Sequence, residues 1–258
     1  FALGGDSIIS IQLVSRARKA GLVITPKAVF QYPTASALAA TARLLRETGT
    51  TTPDIAIGEL SPTPIMHWLV ERGGPINCFN QVVLLRLPSG LQRNHLIAAL
   101  QAVLDHHDAL RMRMVAPAER SEWKMEIAPP GTVLASSCLQ WVDIGGLDVD
   151  ALRDCIAQQA HSSEARLDPA AGVMLQAVCF DAGPDSAGQL LLMIHHFSVD
   201  GVSWRILLPD LRAAWEAIAS DSEPALGLRG TSFRTWSRLL AAEAQNRART
   251  GELAFWTG

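Results

Sequence analysis

The 258 residues carry 48% hydrophobic and 18% charged side chains, enough apolar material for one large domain or for a medium domain with a smaller unit. A formal net charge of -3 with no basic block excludes the electrostatic footprint of a nucleic-acid-binding protein. No signal peptide opens the chain, and the longest apolar run, Leu190–Ile194, is strand-sized rather than membrane-spanning.

From the N-terminus, apolar residues Ile8, Ile11, Val14 and Ala17 recur at helical spacing and predict a helix from Ser7 to Ala20, ended by Gly21. Pro26 opens a short helical turn through Phe30, and Pro33-Thr34 starts a helix over Ala35–Glu47. No strand signal interrupts these residues, so 1–47 reads as an all-α unit. Thr48-Gly49-Thr50-Thr51-Thr52-Pro53-Asp54 has linker composition, and the linker is placed at 48–57. The remainder, 58–258, mixes both periods. Helices are expected at Pro62–Glu71, Leu91–His107, Asp148–Ser163, Ser203–Ile218 and Ser232–Arg249. Strands are expected at Phe79–Leu87, Arg111–Val115, Trp123–Ile127, Leu139–Val142, Val173–Phe180 and Gln189–Ile194. This unit is α/β, a mixed sheet covered by helices.

Four scattered cysteines, Cys78, Cys138, Cys155 and Cys179, form no C-x-x-C pair. They argue against a zinc centre or a disulfide framework and for reduced thiols in a cytoplasmic protein. No G-x-S-x-G elbow supports a hydrolase.

Gly4-Gly5-Asp6-Ser7-Ile8 sets a hydroxyl at a helix N-terminus behind a flexible turn, where backbone N–H groups favour a phosphate. A plain N-cap serine is the competing reading. With Phe1-Ala2-Leu3 before it, Gln12-Leu13 after it and the Phe30-Gln31-Tyr32-Pro33-Thr34 step, the segment resembles the second half of a peptidyl carrier domain of nonribosomal peptide synthetases. The resemblance implies that Ser7 carries covalent 4'-phosphopantetheine, installed by a phosphopantetheinyl transferase, whose thiol bears an aminoacyl or peptidyl thioester. The carrier unit reads as truncated ahead of the serine.

Two His-His pairs divide. His106-His107 closes an amphipathic helix, where polar residues meet exposed carbonyls, and reads as structural. His195-His196-Phe197-Ser198-Val199-Asp200-Gly201-Val202-Ser203-Trp204 follows an apolar strand and precedes a helix, a place suited to chemistry. A histidine there can give or take a proton, and Gly201 supplies backbone freedom at the turn.

This spacing resembles the HHxxxDG signature of the condensation-domain family, which has a chloramphenicol-acetyltransferase-like fold. The resemblance makes His196, His195 and Asp200 the catalytic candidates, with His196 facing the tunnel where pantetheine arms meet. It also implies an ion pair between Asp200 and Arg111, so that Arg111, Gly201 and Trp204 support the loop. The continuation Gly201-Val202-Ser203-Trp204, the opening Leu60-Ser61-Pro62-Thr63-Pro64-Ile65 and the strand Phe79-Asn80-Gln81 are similar to the epimerization branch, as is the aspartate of Gly-Gly-Asp-Ser-Ile.

The implied reaction inverts the α-carbon of a carrier-bound residue, the thioester carbonyl taking up the charge left by the α-proton. A peptide-bond-forming condensation domain and a non-catalytic scaffold are the alternatives. The family's opposing acid/base is a glutamate in a C-terminal half that this sequence does not contain. The chain therefore reads as the first half of a two-half fold, inactive alone. An upstream adenylation domain and a downstream condensation domain are the implied neighbours, with no nucleic acid or membrane partner.

Overall fold

A computed structural model describes residues 6–44, 54–115, 123–227 and 229–258. The chain divides into two compact units, Phe1–Pro53 and Asp54–Gly258. Phe1–Gly5 of the serine motif, 45–47 of the expected helix and 48–53 of the expected linker lie outside the described residues.

In the first unit, α1 (Ser7–Lys19) is capped by Asp6, whose Oδ1 accepts from the Ile9 N–H at 2.7 Å. Gly21, at φ 77°, takes the left-handed turn that ends it. Thr25 and Thr34 cap α2 (Pro26–Gln31) and α3 (Ala35–Thr41) through hydroxyl bonds to Ala28 and Ala37. The expected long last helix stops at Thr41, because Ala42 is extended and leads Arg43–Leu44 (β2) into antiparallel pairing with Leu22–Val23 (β1). The unit is therefore helical with a two-stranded ribbon, which the all-α expectation lacks.

The second unit runs β3 (Gly58–Leu60), α4 (Pro64–Glu71), β4 (Asn80–Arg86), α5 (Arg93–His106), a 3-10 turn (Asp108–Arg111), β5 (Met112–Val115) and β6 (Lys124–Ile127). It continues with α6 (Ala135–Cys138), β7 (Leu139–Asp143), α7 (Val149–Glu164), β8 (Leu175–Asp181), β9 (Gln189–His195) and α8 (Trp204–Ala219). It closes with α9 (Phe233–Ala244), α10 (Arg247–Thr250) and α11 (Leu253–Thr257). The single helix expected over Ser232–Arg249 breaks after Ala244, where Asn246 caps a new turn. Asp54–Ile57, read from composition as linker, belongs to this unit. The Asp54 carboxylate accepts from the Ser232 hydroxyl at 2.6 Å and the Thr235 hydroxyl at 2.7 Å, at the start of α9.

The main sheet has the order β4-β9-β8-β7, antiparallel except for the parallel β8–β7 pair, and is thus mixed as expected. β5 and β6 answer to the strands expected at Arg111–Val115 and Trp123–Ile127, but they form a separate antiparallel sheet, β3-β6-β5, with a β3 that the sequence expectation lacks. β3 is three residues long, and its partner lies far along the chain. Strand alternation divides the core between two faces. Leu175, Ala177 and Cys179 of β8 join Leu190, Leu192 and Ile194 of β9 beneath α5 and α8. Val178, Phe180, Leu191 and Met193 pack on the other face against Leu152 and Ile156 of α7. Both central strands are buried on both sides, which explains their apolar runs, broken in β8 by Gln176, which bonds Arg166. Truncating a fully buried member such as Leu100 to alanine costs about 2–5 kcal/mol at sites of this kind.

Candidate active site

The same alternation separates the histidines. β9 pairs with β4 so that His195 lies opposite Asn80 and Ile194 opposite Gln81, and the His196 N–H extends the ladder to the Phe79 carbonyl at 2.8 Å. Adjacent residues of an extended chain leave on opposite faces. His195 is 0% exposed, and both its ring nitrogens are engaged: Nε2 lies 2.9 Å from the Ile76 carbonyl and Nδ1 accepts from the Phe197 N–H at 3.1 Å. Only the neutral tautomer with its proton on Nε2 makes both bonds. Burial lowers the His195 pKa, the Ile76 bond opposes this and neighbouring His196 adds to it.

His196 leaves on the face of α8. Its half-buried ring stacks on Phe79 at 4.8 Å and 11°, and its Nε2 lies 3.1 Å from Gln81 Nε2. Gln81 Oε1 in turn accepts from the Trp204 indole N–H at 2.8 Å. Trp204, the first residue of α8, is itself packed in the core, so the chain Trp204–Gln81–His196 is anchored at one end by packing. Trp204 thus supports the loop by a definite contact, and Gln81 is a site residue that lies outside the histidine motif.

Asp200 closes the loop. Its Oδ1 accepts from the Val202 N–H, the Ser203 N–H and the Ser203 hydroxyl at 3.0, 2.8 and 2.7 Å. Burial pushes its pKa up, but these hydrogen bonds outweigh it and hold the carboxyl below its ordinary value. Among the described residues no ion pair joins Asp200 to Arg111, so the expected salt bridge is corrected. Arg111, 1% exposed, grips the carbonyl end of α5: Nη1 donates to Leu104 O, to Asp105 O at 2.9 Å and to His107 O at 3.4 Å, while Nε donates to Ala128 O at 3.0 Å. Helix-terminal carbonyls lack intrahelical partners, and a guanidinium fork satisfies several at once. Gly201 is also corrected. Its φ is not in the left-handed region and an added Cβ meets nothing within 4 Å, so the turn does not require glycine.

His107 bonds Asp210 of α8 at 2.9 Å, tying α5 to α8, in keeping with the structural reading of the first pair. Those two residues and His106 have ligand atoms within 4.8 Å of one another; burial and then His107 lower the His106 pKa, Asp210 opposes this and Arg229 adds to it. Glu243 and Glu252 are both bonded to Arg249 on the surface and offer no free carboxylate.

In the first unit, Ser7 is exposed and is the first helical residue, one step inside the Asp6 cap. Its hydroxyl is thus not consumed in capping, and it stands beside the first-turn N–H groups, a setting that fits an attached phosphate. Among the described residues no helix is long and apolar enough to cross a membrane.

Residues 1–42 match the family Phosphopantetheine attachment site, and residues 72–258 match the family Condensation domain. One of the proteins that make up the linear gramicidin synthase of Brevibacillus parabrevis is 37% identical over 99% of this chain, and a surfactin synthase protein of Bacillus subtilis (strain 168) is 34% identical over 99%. The chain spans 3% and 7% of those relatives. Among solved structures, the epimerization domain from the third module of tyrocidine synthetase B superposes with TM-score 0.69 and 26% identity, over 81% of this chain and 45% of that one. The first condensation domain of the CDA synthetase superposes at 0.60 with 17% identity, over 79% and 50%, and attests the fold alone.

Proposed function

The chain belongs to the condensation-domain family of nonribosomal peptide synthetases, with a 4'-phosphopantetheine attachment site ahead of that domain, and from this premise we propose that the complete protein epimerizes the α-carbon of a carrier-bound amino acid. The observation that carries this reading is the 26% identity to an epimerization domain over 81% of the chain, with the Gly201-Val202-Ser203-Trp204 continuation in the histidine loop.

When attached to Ser7, the phosphopantetheine arm presents the substrate as a thioester with an acidified α-hydrogen. His196 acts on one face of the α-carbon, its ring held by Phe79, Gln81 and the backbone bond to Phe79. His195 holds the strand end through Ile76 and Phe197, since neither of its ring nitrogens is free. Asp200 keeps the loop closed through Ser203. The opposing acid/base is supplied from outside this chain. The partners are a phosphopantetheinyl transferase and the other synthetase domains, adenylation upstream and condensation downstream. Burial pushes the Cys138 and Cys179 thiols up to about 11 and about 12, which keeps them protonated and unreactive.

The test is to load the complete synthetase with an L-aminoacyl thioester in deuterated water, then hydrolyse and analyse the amino acid. Deuterium at the α-carbon and appearance of the D-isomer are expected, and both are lost in His196→Ala. Amide-bond formation between two carrier-bound substrates without α-exchange would replace this reading by condensation. Absence of both reactions from an intact loaded protein would leave a scaffold.

A further inference from the structure

We propose that Gln81 is a positioning residue: held by Trp204, it fixes His196 in the tautomer that carries its proton on Nδ1. The argument needs only donor and acceptor capacities. An indole N–H donates and cannot accept, so the end of the Gln81 amide facing Trp204 at 2.8 Å is the oxygen. The other end, 3.1 Å from His196 Nε2, is therefore the NH2 group, which only donates. Nε2 must accept, and an imidazole nitrogen that accepts bears no hydrogen. The neutral ring then holds its proton on Nδ1, which has no hydrogen-bond partner among the described residues.

The two histidines of the loop are thus set in opposite tautomers by different partners. His195 has its proton on Nε2, directed at the Ile76 carbonyl, and His196 has its proton on Nδ1. Gln81 achieves this because its place on β4, opposite Ile194, puts it on the same face of the sheet as His196. Stacking on Phe79 at 11° stops the ring from turning to exchange its nitrogens. Resting on the epimerization reading, the lone pair that can take up a proton lies on Nε2, and Gln81 decides that it lies there.

The tautomer can be read without any reaction. In the full 258-residue chain labelled with 15N-histidine, two-dimensional correlation of ring nitrogens with ring protons separates the tautomers, and His196→Ala identifies the signal. A proton on Nδ1 is expected in the native chain. Gln81→Glu keeps the side-chain shape and the Trp204 bond but offers only acceptors, so it draws the proton to Nε2; Trp204→Phe frees the amide to turn and removes the bias. A native proton on Nε2, or a signal unchanged in both variants, overturns the proposal.

In the complete synthetase, Gln81→Glu is expected to lower kcat for α-exchange by about 100-fold, the low end of what a misplaced acid/base group costs, with KM changed by less than about two-fold. An unchanged kcat overturns the catalytic relevance of Gln81. Failure of the native protein to exchange the α-hydrogen overturns the epimerization reading and leaves the tautomer measurement standing on its own.

Discussion

Arg111 and Asp200 provide a sharp quantitative test, because the motif resemblance joins them and the structure keeps them apart. If they formed a buried ion pair, removing either partner would leave the other uncompensated, and the pair would show strong coupling, with each truncation costing about 3–5 kcal/mol. In the observed arrangement Arg111→Met strips the carbonyls of Leu104, Asp105, His107 and Ala128 of a charged donor at a nearly isosteric volume. Relief of the buried charge offsets part of that loss, for a net destabilisation of about 2–4 kcal/mol. Asp200→Asn retains an acceptor for Val202 and Ser203 and gives up only the charge assistance, about 0.5–1 kcal/mol. With no shared partner, the double variant should equal the sum to within about 0.5 kcal/mol. Urea unfolding followed by tryptophan fluorescence is the assay, since all seven tryptophans lie in the second unit and the signal reports on that unit alone. A coupling energy above about 1.5 kcal/mol would refute the assignment of Arg111 to the end of α5.

Gly201→Ala should change stability by no more than about 0.5 kcal/mol in the same assay, because its conformation and surroundings accept a methyl group. The carboxyl of Asp54 lies below its ordinary value of 3.8, chiefly through the Ser232 hydroxyl and then the Ser232 N–H and Thr235 hydroxyl. Its contribution is therefore present above the unfolded value and lost as pH falls through the lower folded one. The urea midpoint of the native chain should drop below about pH 4, and the drop should be shallower in Asp54→Asn. Alkylation of the native chain at mildly alkaline pH should modify exposed Cys78 and spare Cys138 and Cys179, whose thiols burial pushes up to about 11 and about 12; mass mapping of peptides before and after unfolding checks this.

Elements with a strong internal period are readable from the sequence, and those defined by distant partners are not. Strands β8 and β9 announce themselves as apolar runs because both faces are covered, and α5, α7 and α8 show one apolar face each. β3 consists of Gly58, Glu59 and Leu60 and exists through pairing with Met125–Ile127, information that no local window contains. The same holds at the site. His196 and Asp200 stand within one loop and are legible by their spacing. Gln81 lies 115 residues before His196 and joins it only through the register of β4 against β9. Arg111 is legible as a residue of consequence, but its partners are not. A carboxylate is the obvious mate for a guanidinium on paper, whereas the four carbonyls it serves become available only once α5 ends where it does.

The His-His doublet gains its meaning from the strand that carries it. A side chain continuing the odd-numbered face of β9 turns away from α5 and α8, and its even-numbered neighbour turns toward them. Consecutive histidines at the strand end are therefore forced into different environments, one wholly buried between Ile76 and Phe197, the other half-buried beside Gln81 and Phe79. The buried ring ties the strand end to the segment before β4, and in doing so it fixes where the second ring emerges. A single histidine would have to serve as both anchor and reagent, and an anchor with both nitrogens bonded has no proton to exchange. Division of labour between His195 and His196 follows from the pleat and from the hydrogen-bonding capacity of imidazole.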